Sequence, residues 1–416
     1  MKLFKVAIPF NQHWLQFCRQ YPALSAQPWA DQQATISENW FGFPHVWKHA
    51  LEPLGYEVIE VLANAEIVQK KWAAENAVDY RESLWSYDIA KAQILKAKPD
   101  ILFVADLFWF SDDWITEVRQ ACPSIRLVVG WYGAPIRDKS ILHACDLVLS
   151  CIPEFVEQCR SEGLNSRHLN HSFDERLLNQ VSCVREPDID LSFVGNVRRK
   201  RNFDSGREKL LVALAKETSM QIFSDAISSK ESLAQRLKLF AKVNLHAFVK
   251  AAQERGCSEA VLASVPLVRK AVRWEKPPMR AVNPKLVPCL KPPVYGLDMF
   301  QVLRQSKITF NKHIDASPRS ASNMRMYEAT GIGTCLVTDH KSNIRDLFEP
   351  DKEVVTYQGV EDCVEKIDWL LRHPKERDAI AKAGQQRTMR DHTLEQRAAQ
   401  FDQILRQALG LSVSAF

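Results

Sequence analysis

The chain has 416 residues, 46% hydrophobic and 25% charged, a composition that excludes a chain disordered throughout and fits two or three folded domains. Lys and Arg total 55 against 50 Asp and Glu, and the net charge of +5 is too mild to imply nucleic-acid binding, yet no obstacle to docking on an anionic membrane. No two of the 10 cysteines are separated by only two residues, so neither a zinc knuckle nor a dithiol redox pair is present. Most sit in apolar runs, as Cys335 does in TCLVTD, and read as buried thiols in a reducing compartment.

The opening MKLFKVAIPFNQHW has a short apolar stretch broken by Lys5 and Pro9. It lacks the long apolar region and cleavage site of a signal peptide, so it reads as a first strand. Further strands are expected at 57–62 (EVIEVL), 101–105 (ILFVA), 126–130 (RLVVG) and 146–150 (DLVLS), with the first at 3–8. Between them lie helical faces: Val46, Trp47, Ala50, Leu51 and Leu54, ended by Gly55, and later Trp114, Ile115 and Val118. The most apolar window, ILFVADLFWF at 101–110, is too short for a membrane span and contains Asp106. A cytoplasmic protein is expected, at most peripheral to the inner membrane.

This half, 1–183, reads as one doubly wound domain. VREPDID at 184–190 interrupts both periods and reads as a linker. The pattern restarts with strands at 191–195 (LSFVG), 220–224 (MQIFS), 307–311 (KITFN), 334–338 (TCLVT) and 353–357 (EVVTY). Leu210, Leu211 and Leu214 face inward on one helix, and Val364, Ile367, Leu370 and Leu371 form an apolar face on another. Leu394, Ala398, Phe401, Ile404, Leu405 and Ala408 mark a terminal helix near 394–409. The second domain is therefore 191–393, with 394–416 as a closing segment. Residues 225–294, helical and then proline-rich, read either as an insertion over a ligand cleft or as a packing excursion. Alternating strands and helices give an α/β class with two doubly wound domains, and ligands are expected in the cleft at the carboxyl ends of their strands.

The segment richest in chemistry is KITFNKHIDASPRSASNMRMYEATGIGTCLVTD, 307–339. A strand ends at Asn311, a polar loop follows, and a helix starts near Ser322 and Asn323, so unpaired N–H groups and a partial positive charge lie at the sheet's carboxyl edge. Arg319 and Arg325 add full charges there, an arrangement suited to a diphosphate. Glu328, one turn after Arg325, is placed to accept hydrogen bonds from a ribose diol. The competing reading is a surface Arg325–Glu328 pair with ordinary helix caps. A second segment, FVGNVRRKRNF at 193–203, puts Gly195 at a strand end before Arg198, Arg199, Lys200 and Arg201: either a phosphate approach or a solvated basic turn.

Three long runs share a family likeness: MYEATGIGTCLVTD, then LFEPDKEVVTYQGVEDCVEKIDWLLRHPKERDAIAKAGQQRTMRDHTLEQR, and upstream YGLDMFQVLRQSKITFNKH. They resemble the CgeB-like (spore-maturation type) bacterial glycosyltransferases of the GT-B fold, related to the family 1/4 glycosyltransferases. FGFPHVWKHALEPLGYEVIEVLANAEIVQKKWAAEN, KPDILFVAD and CDLVLSCIPEFVEQCRSEGL extend the resemblance over the N-terminal half, leaving out 225–294. It implies two Rossmann-like domains facing across a cleft. A nucleotide-sugar donor would be held by the C-terminal domain as substrate, with no other cofactor. The acceptor would be a glycan or glycolipid, in cell-envelope polysaccharide or surface-glycan synthesis.

Carried over by residue, Glu328 binds the donor ribose, Gly195, Asn196 and Arg198 approach the diphosphate, and Tyr295 and Leu297 lie where the base is contacted. Asn311, Arg319, Ser322, Asn323 and Arg325 complete the donor set. The related family-4 enzymes carry an E-x7-E pattern; here Ser320 stands at its first position. Candidate bases at strand ends are His13 in PFNQHW and Asp106 in VADLFWF, although a lone His or Asp in such a place is more often a cap or a satisfied polar group. Trp109, Trp114, Trp131 and Tyr132 suit sugar stacking or core packing. His168, His171 and Asp174 read as hinge or donor-side contacts, and no metal is expected. Metal-independent transfer with retention is favoured over inversion. A catalytically degenerate scaffold and a nucleotide-sugar epimerase are the rival readings.

Overall fold

The computed structural model describes residues 1–182, 184, 186–199, 205–228, 233–266, 268–272 and 282–412. Lys200 and Arg201 of the basic run, like Cys183 at the expected domain end, lie outside the described residues.

The architecture is α/β, with two parallel six-stranded sheets. The first comprises β1 (Lys2–Ala7), β2 (Glu57–Leu62), β3 (Ile101–Val104), β4 (Leu127–Trp131), β5 (Leu147–Ser150) and β6 (Ser166–His168), in the order β2-β1-β3-β4-β5-β6. Every residue of β3 and β5 is buried, as expected of parallel strands covered on both faces. Alternate residues serve opposite cores: Leu3, Ala7, Ile101, Phe103 and Val129 pack in one, Phe4, Val6, Leu102, Val104 and Val128 in the other. The strand order reverses between β1 and β3, the switch point at which doubly wound sheets open a ligand crevice. β6 was not expected from sequence; it is three residues long and reads Ser-Arg-His.

The chain forms two compact units, Met1–Leu191 with Val294–Phe416, and Ser192–Pro293. Strand β7 (Ile189–Val194) runs across the boundary. In the smaller unit β8 (Met220–Phe223) pairs parallel with β9 (Leu290–Lys291), so the proline-rich stretch expected to be an insertion supplies a strand of the second sheet. The smaller unit also carries a long helix, Leu233–Glu254. In the larger unit β10 (Ser306–Asn311), β11 (Cys335–Asp339) and β12 (Val355–Tyr357) run parallel side by side.

The apolar face at 46–54 makes only one α-turn, Lys48–Leu51, before tightening to a 3-10 turn over Glu52–Leu54. Pro53 lacks the N–H that would continue an α-helix, and Gly55 ends the turn at φ +86°. The last helix, Leu394–Ala408, opens with a Thr393/Gln396 capping box. It lays Phe401 against Trp47 and Phe103, at 5.1 and 5.4 Å between ring centres. Tyr56 Oη donates to Asp402 at 2.7 Å on the same helix. Among the described residues no helix is long and apolar enough to cross a membrane.

Candidate functional site

The carboxyl ends of β10 and β11 carry one continuous polar network. Parallel register sets Asn311 beside Thr338, and Asn311 Nδ2 donates to Thr338 Oγ1 at 2.9 Å. Asn323 Nδ2 donates to Asn311 Oδ1 at 3.0 Å, while Asn323 Oδ1 accepts the Arg325 N–H at 2.8 Å and so caps the Met324–Gly331 helix. One turn on, the Arg325 guanidinium lies 2.7 Å from Glu328 Oε2, with side chains only 13% and 4% exposed. The pair and the ordinary cap of the competing reading both form, but the pair is largely withdrawn from water and does not lie on the surface. Burial pushes the Glu328 carboxyl up from its ordinary value, and Arg325 opposes that shift.

At the other end of the network stand two residues that sequence reasoning missed. Asp339, the last residue of β11, accepts the His313 backbone N–H at 2.9 Å and lies 2.7 Å from His313 Nδ1. Lys341 Nζ is 3.3 Å from its other oxygen. Burial alone would raise the Asp339 carboxyl, but the His313 hydrogen bonds and the nearby Lys341 ammonium outweigh it and hold the group far below the usual carboxylate range. His313 is 1% exposed, and its Nε2 is buried with no hydrogen-bond partner. The order of β10 and β11, not any local motif, brings these residues together.

The other expected site residues distribute as follows. Ser322 is buried just before the capping Asn323. Tyr295 caps the Gly296–Arg304 helix, with Leu297 half-buried in its first turn. The Tyr295 ring lies parallel to His13 at 5.5 Å, and His13 in turn stacks on Trp40 at 3.9 Å. His13 is on the Asn11–Gln20 helix, not at a strand end. Burial lowers it to about 4 against an opposing hydrogen bond at Phe43, so it is a neutral ring at pH 7. Asp106, two residues past β3, accepts the Phe108 N–H at 2.9 Å; burial raises its carboxyl, and the Phe108 and Trp109 amides oppose this. Arg319 is held away from the Arg325 pair: its guanidinium meets Glu157 at 2.8 Å, and Glu154 accepts the N–H groups of Arg319 and Ser320, both at 3.0 Å.

Gly195, Asn196 and Arg198 belong to the smaller unit. Gly195 follows β7 directly, and a Cβ there would meet the Phe193 ring at 2.9 Å. Asn196 Oδ1 accepts the Arg198 N–H at 2.7 Å, while the Arg198 guanidinium binds the Asp225 carbonyl at 2.7 Å. Of the basic run, Arg199 pairs with Glu208 through two bonds of 2.6 and 2.5 Å. Asp174 pairs with Arg176 at 2.6 Å, and His168 faces the Cys151 carbonyl at 3.3 Å. Among the described residues no three His, Cys, Asp or Glu side chains gather as a metal site would require.

Residues 242–403 match the model of a family described as glycosyl transferase-like. The matched stretch contains the whole β10–β11 network. Solved structures resemble the chain over nearly its full length. Sucrose-phosphate synthase from Thermosynechococcus elongatus aligns at TM-score 0.54 and 14% identity, over 99% of this chain and 100% of that one. AviGT4, a glycosyltransferase involved in avilamycin A biosynthesis, aligns at 0.53 and 11%, over 99% and 98%. Alr3699/HepE from Anabaena, in complex with UDP-glucose, aligns at 0.52 and 11%, over 98% and 100%. No curated protein matches. Identities this low speak for fold alone, and the fold is GT-B.

Proposed function

We propose that the chain is a glycosyltransferase that moves a sugar from a nucleotide-sugar donor to a glycan or glycolipid acceptor. The observation that carries this reading is the glycosyl transferase-like match over 242–403, which contains the buried Arg325–Glu328 pair at a helix start on the sheet's carboxyl edge. The complex of Alr3699/HepE with UDP-glucose supports a sugar nucleotide as the donor class.

In this reading the ribose diol donates to Glu328, and the Arg325 guanidinium turns toward the diphosphate. When the bond from the sugar's anomeric carbon to the phosphate oxygen breaks, charge grows on the leaving diphosphate in a water-poor site, where a fixed cation is worth most. Ser322, Asn323 and Asn311 hold the helix start in place, and Tyr295 and Leu297 lie along the base; in the smaller unit, Gly195, Asn196 and Arg198 are the residues suited to meet a phosphate. Arg319 contributes only by leaving Glu154 and Glu157. The acceptor oxygen forms the new bond to the anomeric carbon and loses its proton, to the departing phosphate under retention or to a base under inversion. Asp106 is the better-placed of the two candidate bases, because His13 is enclosed between rings.

The finer terms of the proposal are the CgeB-like type, domains at 1–183 and 191–393, metal-independent retention, a cytoplasmic setting at the inner membrane, and a cell-envelope glycan as acceptor. A thermal-shift series with UDP, GDP, CDP, CMP, dTDP and ADP, with and without divalent metal, tests the donor. Binding to the folded state raises stability by about 2.7 kcal/mol at a hundredfold excess over Kd. Folded protein that none of them shifts sinks the proposal. Binding without turnover would favour the degenerate scaffold, which the Ser320 position keeps open, and interconversion of free nucleotide sugars would favour the epimerase.

A further inference from the structure

The smaller unit is charged out of proportion to the chain. Residues 192–293 hold 20 Lys and Arg against 8 Asp and Glu, a net +12, while the rest of the chain, with 35 against 42, carries −7. The overall +5 conceals this asymmetry. Positive charge concentrated on one unit draws that unit toward an anionic surface.

The long helix of that unit supplies what charge alone cannot. Leu233–Glu254 runs 22 residues without Gly or Pro, and Gly256 follows it at φ +88°. One side is used in packing: Val249 is fully buried and, with Leu245 and Ala252 beside it, meets Leu262, Val268, Ala271 and Val272. The opposite side is apolar as well. At the about 100° per residue of an α-helix, Leu237, Phe240, Ala241 and Phe248 share one arc. The three large side chains of that arc are 61%, 68% and 61% exposed. A helix apolar on both sides is one that burial on both sides would suit. From Leu233 to Gln253 it carries no acidic residue, and Lys238 and Lys242, both exposed, run one turn apart beside the apolar arc.

The charges decide what covers this face. A second copy would set one unit of net +12 against another. A nucleic acid offers phosphates to the lysines, but a stripe of Leu237, Phe240 and Phe248 finds no apolar surface on a phosphate backbone. An anionic lipid surface offers both: acyl chains for the apolar arc and headgroup phosphates for the lysines, whose methylene stems lie along the boundary. We propose that the Leu233–Glu254 helix docks the protein on an anionic membrane, lying flat at the headgroup boundary with Leu237, Phe240 and Phe248 inserted. The helix is too cationic to cross the bilayer, which is the pattern of an interfacial helix. The inference gives the membrane setting proposed above a surface and a physical cause, and it does not rest on the transferase reading.

The test is co-sedimentation of the full chain with vesicles of phosphatidylcholine and phosphatidylglycerol in equal parts, and with phosphatidylcholine alone. Wild type binds the mixed vesicles about tenfold or more tightly than the neutral ones, and salt at about 0.5 M removes most of that advantage. Phe240→Glu and Phe248→Glu, at exposed positions, each weaken binding to mixed vesicles about tenfold, with far-UV circular dichroism and the nucleotide thermal shift unchanged. Lys238→Glu combined with Lys242→Glu does the same while leaving the apolar arc intact, so a phenylalanine variant that fails to fold does not protect the proposal. No binding to mixed vesicles, equal binding to both kinds, or binding that survives these substitutions overturns it. So does a solution dimer that Phe240→Glu dissolves, which would give the face to a second copy. Vesicle binding without any nucleotide shift keeps the docking helix and removes the transferase reading; a nucleotide shift without vesicle binding does the reverse.

Discussion

Replacing Arg325 by Met removes the cation from a pair in which Glu328 is 3% exposed and 2.7 Å away. Breaking a buried pair from one side leaves an uncompensated charge and costs about 3–5 kcal/mol. The cost must depend on pH in a definite direction. Burial already raises the folded-state value for Glu328 above its ordinary 4.5, with Arg325 as the opposing influence. Loss of Arg325 raises it further. A carboxyl raised by folding binds more protons in the folded state, so its contribution is fully present below the unfolded value and is lost as pH rises through the folded one. Wild type and Arg325→Met should therefore be close near pH 4.5, then part by up to about 1.4 kcal/mol per pH unit until the variant's own Glu328 value is passed. Urea unfolding followed by tryptophan fluorescence at pH 5, 6, 7 and 8 gives the gap. In a Glu328→Gln background the same substitution should show no growth with pH. A loss that is constant with pH, and equal in both backgrounds, would refute the buried-charge account of this pair.

The remaining predictions concern acid stability, the donor site, the loop before it and the β11 carboxylate. His13, His45 and His392 are each lowered by burial to about 4, so the unfolded chain binds more protons between that value and 6.5, and stability drops as the pH is lowered. Between pH 7 and 5 each should cost about 2 kcal/mol; a flat melting temperature across that range contradicts their burial as neutral rings. Glu328→Ala should remove the nucleotide thermal shift while the far-UV circular dichroism stays native; a folded variant with unchanged nucleotide affinity takes Glu328 out of the donor site. Glu154→Ala leaves the Arg319 and Ser320 amides without their acceptor and should lower stability by about 1–3 kcal/mol, whereas Arg319→Ala, an exposed ion-pair partner, should change it by less than about 1 kcal/mol. Equal losses in the two variants would show that the backbone bonds are not what fixes this loop. Asp339→Asn removes the anionic partner of the His313 N–H and Nδ1 and should lower stability by about 1–3 kcal/mol; an unchanged urea midpoint would show that the pair contributes nothing to the fold.

Most strands were legible because a parallel strand buried on both faces must be a short apolar run, and ILFVA, RLVVG, DLVLS and TCLVT are such runs. β6 and β9 were not, because Ser-Arg-His and Leu-Lys are edge strands too short and too polar to stand out. The start of the Met324–Gly331 helix was legible in Asn323, a strong capping residue, and the Arg325–Glu328 spacing showed that the two would meet. Whether they met in water or in the protein depended on what covers the helix, which no local spacing encodes. His313 and Asp339 escaped notice for the same reason. Each stands singly in its own segment, and only adjacent parallel strands convert two strand ends into one site.

Lys5 shows how more could have been read. In LFKVAI it is a charge in the middle of an apolar strand, and a lysine buried there requires a partner. The neighbouring strand reads EVIE, and KLFK at 2–5 has the same spacing of charges. Parallel pairing sets Lys2 beside Glu57 and Lys5 beside Glu60, with ion pairs of 3.0 and 2.8 Å. A slip of one residue would separate both pairs and turn Lys5 and Glu60 to opposite faces, so the two matched charges specify the register of β1 on β2. The outer pair is partly exposed and worth little in energy; the inner one is a buried pair whose removal from one side is costly. The pair that fixes the strand register is therefore also the one that compensates the single charge the run LFKVAI carries into the core, and the loss of Lys5 alone would leave Glu60 without its partner.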